Sequence, residues 1–214
     1  MEPVRITLGD LNATLFLGDC LELLPTLAAG FVYVTDQPYG TGWVRGGGAV
    51  GEFKAKHEKP EWDVWDLTWL KKLNSPKRIA AFCPAARTEE LCYALTSPMV
   101  MHYRKSNVRP NGLDREPIVV SPPRVPRNDE WKKLAYNGDM PFHPCQKPLP
   151  IMAWLLESVS DETETVVDPF MGSGTTGVAC LRTGRNFIGI EKDPKHFATA
   201  VERLEREARQ GVLL

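Results

Sequence analysis

Asp168-Pro169-Phe170-Met171-Gly172-Ser173-Gly174-Thr175-Thr176 sets a carboxylate, an aromatic ring, glycines and hydroxyls in one short stretch. A β-rich run, Thr165-Val166-Val167, precedes it, and a helical run, Gly177-Val178-Ala179-Cys180-Leu181, follows. A strand, a glycine turn and a helix N-terminus make a nucleotide-sized cradle. Gly172 and Gly174 let backbone approach a ligand where a Cβ would clash. The helix start offers unpaired N–H groups that suit a carboxylate or phosphate. About twenty residues on, Gly189-Ile190-Glu191 ends the next strand with a carboxylate, placed to accept hydrogen bonds from ribose hydroxyls. The expected ligand is a nucleoside-containing cofactor.

A second constellation is Asp36-Gln37-Pro38-Tyr39-Gly40. It follows Phe31-Val32-Tyr33-Val34-Thr35, which reads as a buried parallel strand. Ligands of open α/β sheets sit at the carboxyl ends of strands, so this loop should face the cofactor. The Asp36 carboxylate and a backbone C=O can accept both hydrogens of an exocyclic amine. Pro38 stiffens the turn, and the Tyr39 ring can stack on a flat base. Those are the groups needed to hold an amino-nucleobase turned out of its helix.

The elements that must position these loops are an α/β series. Val4 to Leu8 and Ala13 to Leu17 read as a hairpin, Leu21 to Leu27 as a helix, and Arg78 to Phe82 as a strand. A helix is expected near Asp66 to Leu73, and another from Thr88, with Glu89 and Glu90 suited to its N-terminal dipole. Strands near Met99 to Tyr103 and Ile118 to Val120 follow. Helix, strand, helix, strand, helix run from about Leu149. Gly172, Gly174 and Gly177 satisfy the G-x-G-x-x-G dinucleotide fingerprint, which alone is a weak signal. Only one helix, roughly Pro194 to Glu207, follows Glu191. The rest of the sheet must therefore come from the N-terminal side, a permuted order with the cofactor half last.

The chain resembles the S-adenosylmethionine-dependent amino-methyltransferases of DNA, in the permuted order of the β group. Their target loop reads D/N/S-P-P-Y/F/W and their cofactor loop D-P-F-x-G-S-G-T-T. Leu17-Gly18-Asp19-Cys20 resembles the family's G-D-C turn. His102-Tyr103-Arg104-Lys105-Ser106-Asn107 resembles its W-x-K-x-N segment. Arg115-Glu116-Pro117-Ile118-Val119-Val120 resembles its H-E-x-I-L-V strand, and His143-Pro144-Cys145-Gln146-Lys147-Pro148 its H-P-x-x-K-P lead. The resemblance covers nearly the whole chain. It implies a Rossmann-like α/β fold with a mostly parallel twisted sheet and a small inserted recognition segment. It implies S-adenosylmethionine as cofactor and methyl transfer to adenine N6, favoured over cytosine N4 because the loop starts with Asp.

Roles follow from the resemblance. Asp36, Gln37, Pro38 and Tyr39 form the catalytic loop. Cofactor contacts fall to Asp19 near the adenine, Glu191 at the ribose, and Asp168 and Lys147 toward the methionine end. Phe170, Gly172, Ser173, Gly174, Thr175 and Thr176 complete that set, the two threonines also capping the helix. Gln37 departs from the family's first proline. It keeps the backbone C=O, and Pro38 biases it toward an extended conformation, so activity is expected to survive. The alternative is a catalytically weak DNA-binding homologue, in which Gln37→Pro would restore turnover. An RNA or protein amide target ranks lower.

The 214 residues are expected to form one domain, with 43% hydrophobic residues to build its core. Within it, 41–60 is a candidate lid or DNA-contact loop containing Arg45, and about 104–142 a candidate target-recognition segment. A net charge of −1 excludes a uniformly basic glove for nucleic acid. Basic residues concentrate locally instead: Arg104, Lys105, Arg109, Arg124 and Arg127 are candidates for phosphate contact with double-stranded DNA. The five cysteines show no C-x-x-C pair. They are expected to be reduced thiols of a cytoplasmic protein, with no metal site and no membrane span. Pro144-Cys145 mimics the nucleophile of enzymes that methylate cytosine C5, but lies on the wrong side of the cofactor loop. Ser121-Pro122-Pro123-Arg124 mimics a target loop without its aromatic and reads as a stiff loop. Trp62, Trp65 and Trp69 read as packing residues. The family often dimerises, and a homodimer, the recognised sequence and a restriction partner all stay open.

Overall fold

In the computed structural model, residues 2–40, 63–104, 115–124 and 147–211 are described. The expected lid at 41–60 with Arg45, most of the 104–142 segment with Lys105, Arg109 and Arg127, and also Trp62, His143 and Cys145, lie outside these residues. Eight strands form one sheet in the order β1-β2-β8-β7-β3-β4-β6-β5. They are β1 (Val4–Leu8), β2 (Leu11–Leu17), β3 (Val32–Thr35), β4 (Arg78–Phe82), β5 (Met99–Arg104), β6 (Arg115–Ser121), β7 (Thr165–Asp168) and β8 (Asn186–Glu191). The five central strands, β2, β8, β7, β3 and β4, pair in parallel. Antiparallel β1 closes one side, and antiparallel β6 and β5 the other. The sheet is thus mixed, with its parallel part at the centre.

The central strands are apolar on both faces because both faces are covered. All four residues of β3 are buried. Val32, Val34 and Val166 face one core with Leu155, Val178 and Leu204. Tyr33 and Val167 face the other, with Trp69, Ile79, Leu91 and Ile190. The first core lies under α3 (Leu149–Val159), α4 (Thr175–Arg182) and α5 (Pro194–Gly211). The second lies under α1 (Cys20–Leu23) and α2 (Thr88–Ala94). Among the described residues, no helix is long and apolar enough to cross a membrane.

Two helices are shorter than their patterns suggest. The one expected over Leu21–Leu27 yields to a 3-10 turn at Leu24–Thr26, because Pro25 lacks the N–H that an α-helix would use. The one expected near Asp66–Leu73 is a 3-10 turn over Thr68–Lys72. Asp66 accepts from the Thr68 N–H at 2.8 Å and its hydroxyl at 2.6 Å, which starts a tight turn. Ser75, at φ +44°, and Pro76 then prevent extension.

The connections reverse direction between β3 and β7. From β3 the chain proceeds outward to β4; from β7 it proceeds the other way to β8. Such a switch point opens a crevice at the carboxyl ends of the strands. The permuted order places the Asp36 loop on one side of that crevice and the Asp168 loop on the other.

Candidate active site

The cofactor-type loop is held from beneath and behind. Asp168, the last residue of β7, is buried; its Oδ1 accepts from the Phe170 N–H at 3.0 Å and its Oδ2 from the Thr176 hydroxyl at 2.6 Å. Burial pushes its carboxyl up to about 7, against the pull of these hydrogen bonds. Thr176 is therefore spent on Asp168 and does not cap the helix. The N-cap of α4 is Gly174, at φ +81°, with no side-chain cap. A Cβ there would come within 2.8 Å of Leu204 and 3.0 Å of Ala200, so this glycine is required by conformation and by packing on α5. Gly172 differs: at φ +51°, its Cβ would meet nothing within 4 Å among the described residues. The open side of the loop is at Gly172.

Arg203 of α5, buried itself, donates through Nη1 to the Ser173 carbonyl at 2.6 Å, the Ser173 hydroxyl at 3.0 Å and the Thr175 hydroxyl at 3.2 Å. Ser173 and Thr175 are thus anchored on their protein side, and the capping expected of Thr175 is not found. Sequence reasoning missed Arg203. Its signal was a charge in the apolar stripe Ala200, Leu204, Ala208, where an arginine must find acceptors or stay out.

Glu191 ends β8 beside Gly172. Its Oε2 accepts from the Gly172 N–H at 2.9 Å and its Oε1 from the Asp193 N–H at 2.8 Å. The Lys192 amide also acts on this carboxylate, whose roughly four lone-pair sites leave acceptor capacity beyond these bonds. Burial raises the Glu191 carboxyl, opposed by the Asp193 amide and nearby His196. Asp19 follows β2 on the same sheet edge, with the Gly18 N–H donating to the Glu191 carbonyl at 2.9 Å. Asp19 caps α1 through the Leu21 N–H at 2.9 Å and meets Lys192 at 3.0 Å.

The Asp36 loop leaves β3 next to β7. Tyr33 pairs with Val167, so Asp36 stands two residues beyond the level of Asp168. Lys147 Nζ donates to Asp36 Oδ1 at 2.7 Å and to the Tyr39 hydroxyl at 3.2 Å, and lies 3.1 Å from Glu116 Oε1. It also stands 5.0 Å from the centres of the Tyr39 and Phe82 rings, within cation–π range. Lys147, expected at the cofactor's methionine end, contacts the Asp36 loop. Tyr39 and Tyr103 both donate their hydroxyls to Glu116. Burial raises the Asp36 carboxyl; Lys147 opposes that shift and Glu116 adds to it.

Gln37 turns inward and is 2% exposed. Its Oε1 accepts from the Trp69 indole N–H at 2.8 Å, while its Nε2 has no partner among the described residues. Trp69 also packs edge-on against Phe170, with ring centres 5.9 Å apart. A buried chain of contacts therefore links the residue that replaces the family proline to the cofactor-type loop. At the far end of the turn, the Gly40 N–H donates to Asp63 at 2.7 Å.

Not every expected residue joins the site. β6 runs antiparallel to β4, so Ser121 pairs with Ile79, at the end of the sheet away from Asp36. Arg124 lies beyond Ser121 and pairs with Asp161 at 2.6 Å, which places this DNA-contact candidate away from the crevice. Arg104 pairs with Arg115 at the opposite end of these strands, on the side of Glu116 and the Asp36 loop. Trp69 is fully buried and Trp65 packs against the same core, as expected of packing residues. Among the described residues, the four cysteines are free thiols and no side-chain cluster fits a metal ion.

The family model for N6 and N4 methyltransferases, described as DNA methylase, matches residues 54–202. The Type II methyltransferase M2.LlaDCHI of Lactococcus lactis subsp. cremoris is 41% identical over 70 residues, 33% of this chain and 26% of the relative. M2.MboI of Moraxella bovis is 30% identical over 129 residues, 59% of this chain and 44% of that protein. The matches thus span less than half the length of these curated relatives. Among solved structures, an M1.HpyAVI–SAM complex superposes with TM-score 0.67 at 24% identity, covering 90% of this chain and 100% of that one. The cytosine-N4-specific PvuII DNA methyltransferase superposes with TM-score 0.64 at 13% identity, covering 97% of each. These two share the fold. The match over 54–202 takes in both partner strands of β3, Lys147 and the whole glycine loop, and on it this chain belongs to the N6/N4 DNA methylase family.

Proposed function

We propose that the protein transfers a methyl group from S-adenosylmethionine to the exocyclic amine of a base turned out of double-stranded DNA, with adenine N6 as the target. The observation that carries this reading is the placement of Asp36–Tyr39 and Asp168–Thr176 on adjacent parallel strands at the switch point of the sheet. The cofactor fits the residues present. Gly172 leaves open space, Glu191 keeps lone pairs for a ribose diol, and Asp168 and Phe170 flank the same turn. S-adenosylmethionine, when bound, supplies a methyl group already activated by its sulfonium, so the protein's task is mainly positioning.

On this reading Glu191 orients the ribose and Asp19 lies toward the adenine. Asp36 and the Gln37 carbonyl accept the two hydrogens of the target amine, which favours a pyramidal nitrogen with a localised lone pair. Tyr39 stacks on the base, worth about 1–3 kcal/mol, which offsets about a few kcal/mol of unstacking. Aspartate at the head of the loop favours adenine; cytosine N4 is the second reading, since the family covers both amines.

The test is transfer of labelled methyl groups to unmethylated genomic DNA, followed by digestion to nucleosides and separation. Label in N6-methyladenine, absent with Asp36→Ala, is the expected result. Label in N4-methylcytosine would replace the target base. No label despite cofactor binding would overturn the DNA reading.

A further inference from the structure

Lys147 and Glu116 form an ion pair that the methyl-transfer reading above does not use. Their side chains are 11% and 7% exposed, and Asp36 is the third charge in contact. Taking such groups out of water is costly, and apolar residues of similar volume often serve stability better. The contacts are also directional. Among the described residues, Lys147 is the cation that touches both carboxylates, and Glu116 gathers the hydroxyls of Tyr39 and Tyr103 from two different elements. Each of these bonds ends on a side chain of the target loop or on a group that holds one.

We infer that Lys147 and Glu116 are positioning residues of the transfer site: Lys147 anchors one carboxylate oxygen of Asp36 so that the other meets the target amine, and Glu116 fixes the Tyr39 ring by its hydroxyl. This rests on the methyltransferase reading. Lys147 comes from the segment leading into α3, Glu116 from β6 and Asp36 from the end of β3, so three distant parts of the chain converge on one oxygen pair. The hydrogen bond from the cation ends on Asp36 Oδ1, and the Tyr39 hydroxyl faces the same carboxylate. A carboxylate tied at one oxygen loses the rotation that would otherwise spread its acceptors over many directions, and transfer in line with a methyl group depends on that direction.

The arrangement also sets the charge on Asp36. The groups facing it are Lys147, Glu116 from β6, Tyr39 from its own loop, and Asp168 from β7. Lys147 favours the carboxylate; burial and Glu116 favour the acid. Protonated Asp36 has less acceptor capacity for the amine, so the rate must fall on the acid side.

The test measures single-turnover transfer to DNA against pH in the full chain, with cofactor affinity read by calorimetry, for Lys147→Met, Lys147→Arg and Glu116→Gln. Lys147→Met is expected to lower kcat about a hundredfold and to move the acid limb up by about 1–3 pH units. Glu116→Gln should move it down, and Lys147→Arg should recover rate. Cofactor affinity should match the wild type throughout. Limbs that stay in place, or move together, overturn the inference, as does a loss of cofactor affinity in step with rate. Should Lys147→Met fail to fold, the direction of the Glu116→Gln limb and the rescue by arginine still decide. A wild-type protein that binds cofactor yet labels no DNA refutes the functional reading itself, a result distinct from all of these.

Discussion

The Gln37–Trp69 contact can be weighed by a double-mutant cycle. Trp69→Phe removes the indole donor and leaves the buried Gln37 Oε1 without its partner, about 1–3 kcal/mol before any loss of packing. Gln37→Leu removes the acceptor and leaves the Trp69 N–H unpaired at similar cost. It also deletes Nε2, buried without a partner among the described residues, so the two effects nearly cancel and the single variant should be close to neutral. The double variant leaves neither group stranded. Its loss should be about 1–3 kcal/mol smaller than the sum of the singles. Urea unfolding followed by circular dichroism reads this directly, and thermal midpoints should follow at about 2–4 °C per kcal/mol. Additivity within about 0.5 kcal/mol would refute the reasoning, because it would mean the two side chains do not share a hydrogen bond worth counting. The same geometry bears on the alternative of a catalytically weak homologue. Gln37→Pro restores the family's loop residue but strips Trp69 of its acceptor, so turnover should not rise unless Trp69 is changed with it.

Four further outcomes follow from the glycine loop and its supports. Arg203→Met should weaken cofactor binding about tenfold by calorimetry, since it removes charge-assisted bonds of about 1.5–3 kcal/mol that hold Ser173 and Thr175. Gly174→Ala should destabilise by about 2–4 kcal/mol in urea titration, from left-handed strain plus overlap with α5. Gly172→Ala should cost only the strain, about 1–2 kcal/mol, and act chiefly on cofactor affinity. Asp168 gives a pH signature. Burial raises its carboxyl from 3.8 to about 7, so the folded state favours the acid form. That stabilisation is complete below pH 3.8 and is lost as pH rises through about 7. Asp168→Asn should flatten the decline, so its stability relative to wild type should grow between those limits; a variant whose urea midpoint falls with pH in parallel with wild type would sink the assignment.

What the sequence discloses and what it hides divide along chain distance. β3 and β7 were legible because buried parallel strands must be apolar and β-branched on both faces. The glycine loop was legible because its residues act within one turn. The position of Lys147 was not, because its partner Asp36 lies 111 residues away and nothing local to the H-P-x-x-K-P segment points there. Glu116 was visible only as a family match, although a carboxylate leading into the apolar run Pro117–Val120 must be paired if buried. The threonines show the opposite error. Hydroxyls at a helix start read as caps, yet Asp168 and Arg203 offered them stronger partners, and a left-handed glycine took the capping position. The 3-10 turn at Thr68–Lys72 was misread for a related reason: Asp66 and Ser75 set its limits from outside the apolar pattern.

The strand order has a consequence for synthesis. β3 is made early and can pair with β4 soon after, but its other neighbour, β7, begins only at Thr165. The same holds for β2, whose partner β8 comes later still. A nascent chain therefore carries two apolar strands with an open edge through most of its translation, the state in which strands recruit unwanted partners. By contrast β7, α4, β8 and α5 are contiguous, so the cofactor half can assemble from local contacts as it emerges and then insert between the waiting strands. The Asp36 loop, though synthesised first, would be the last part of the crevice to acquire its wall.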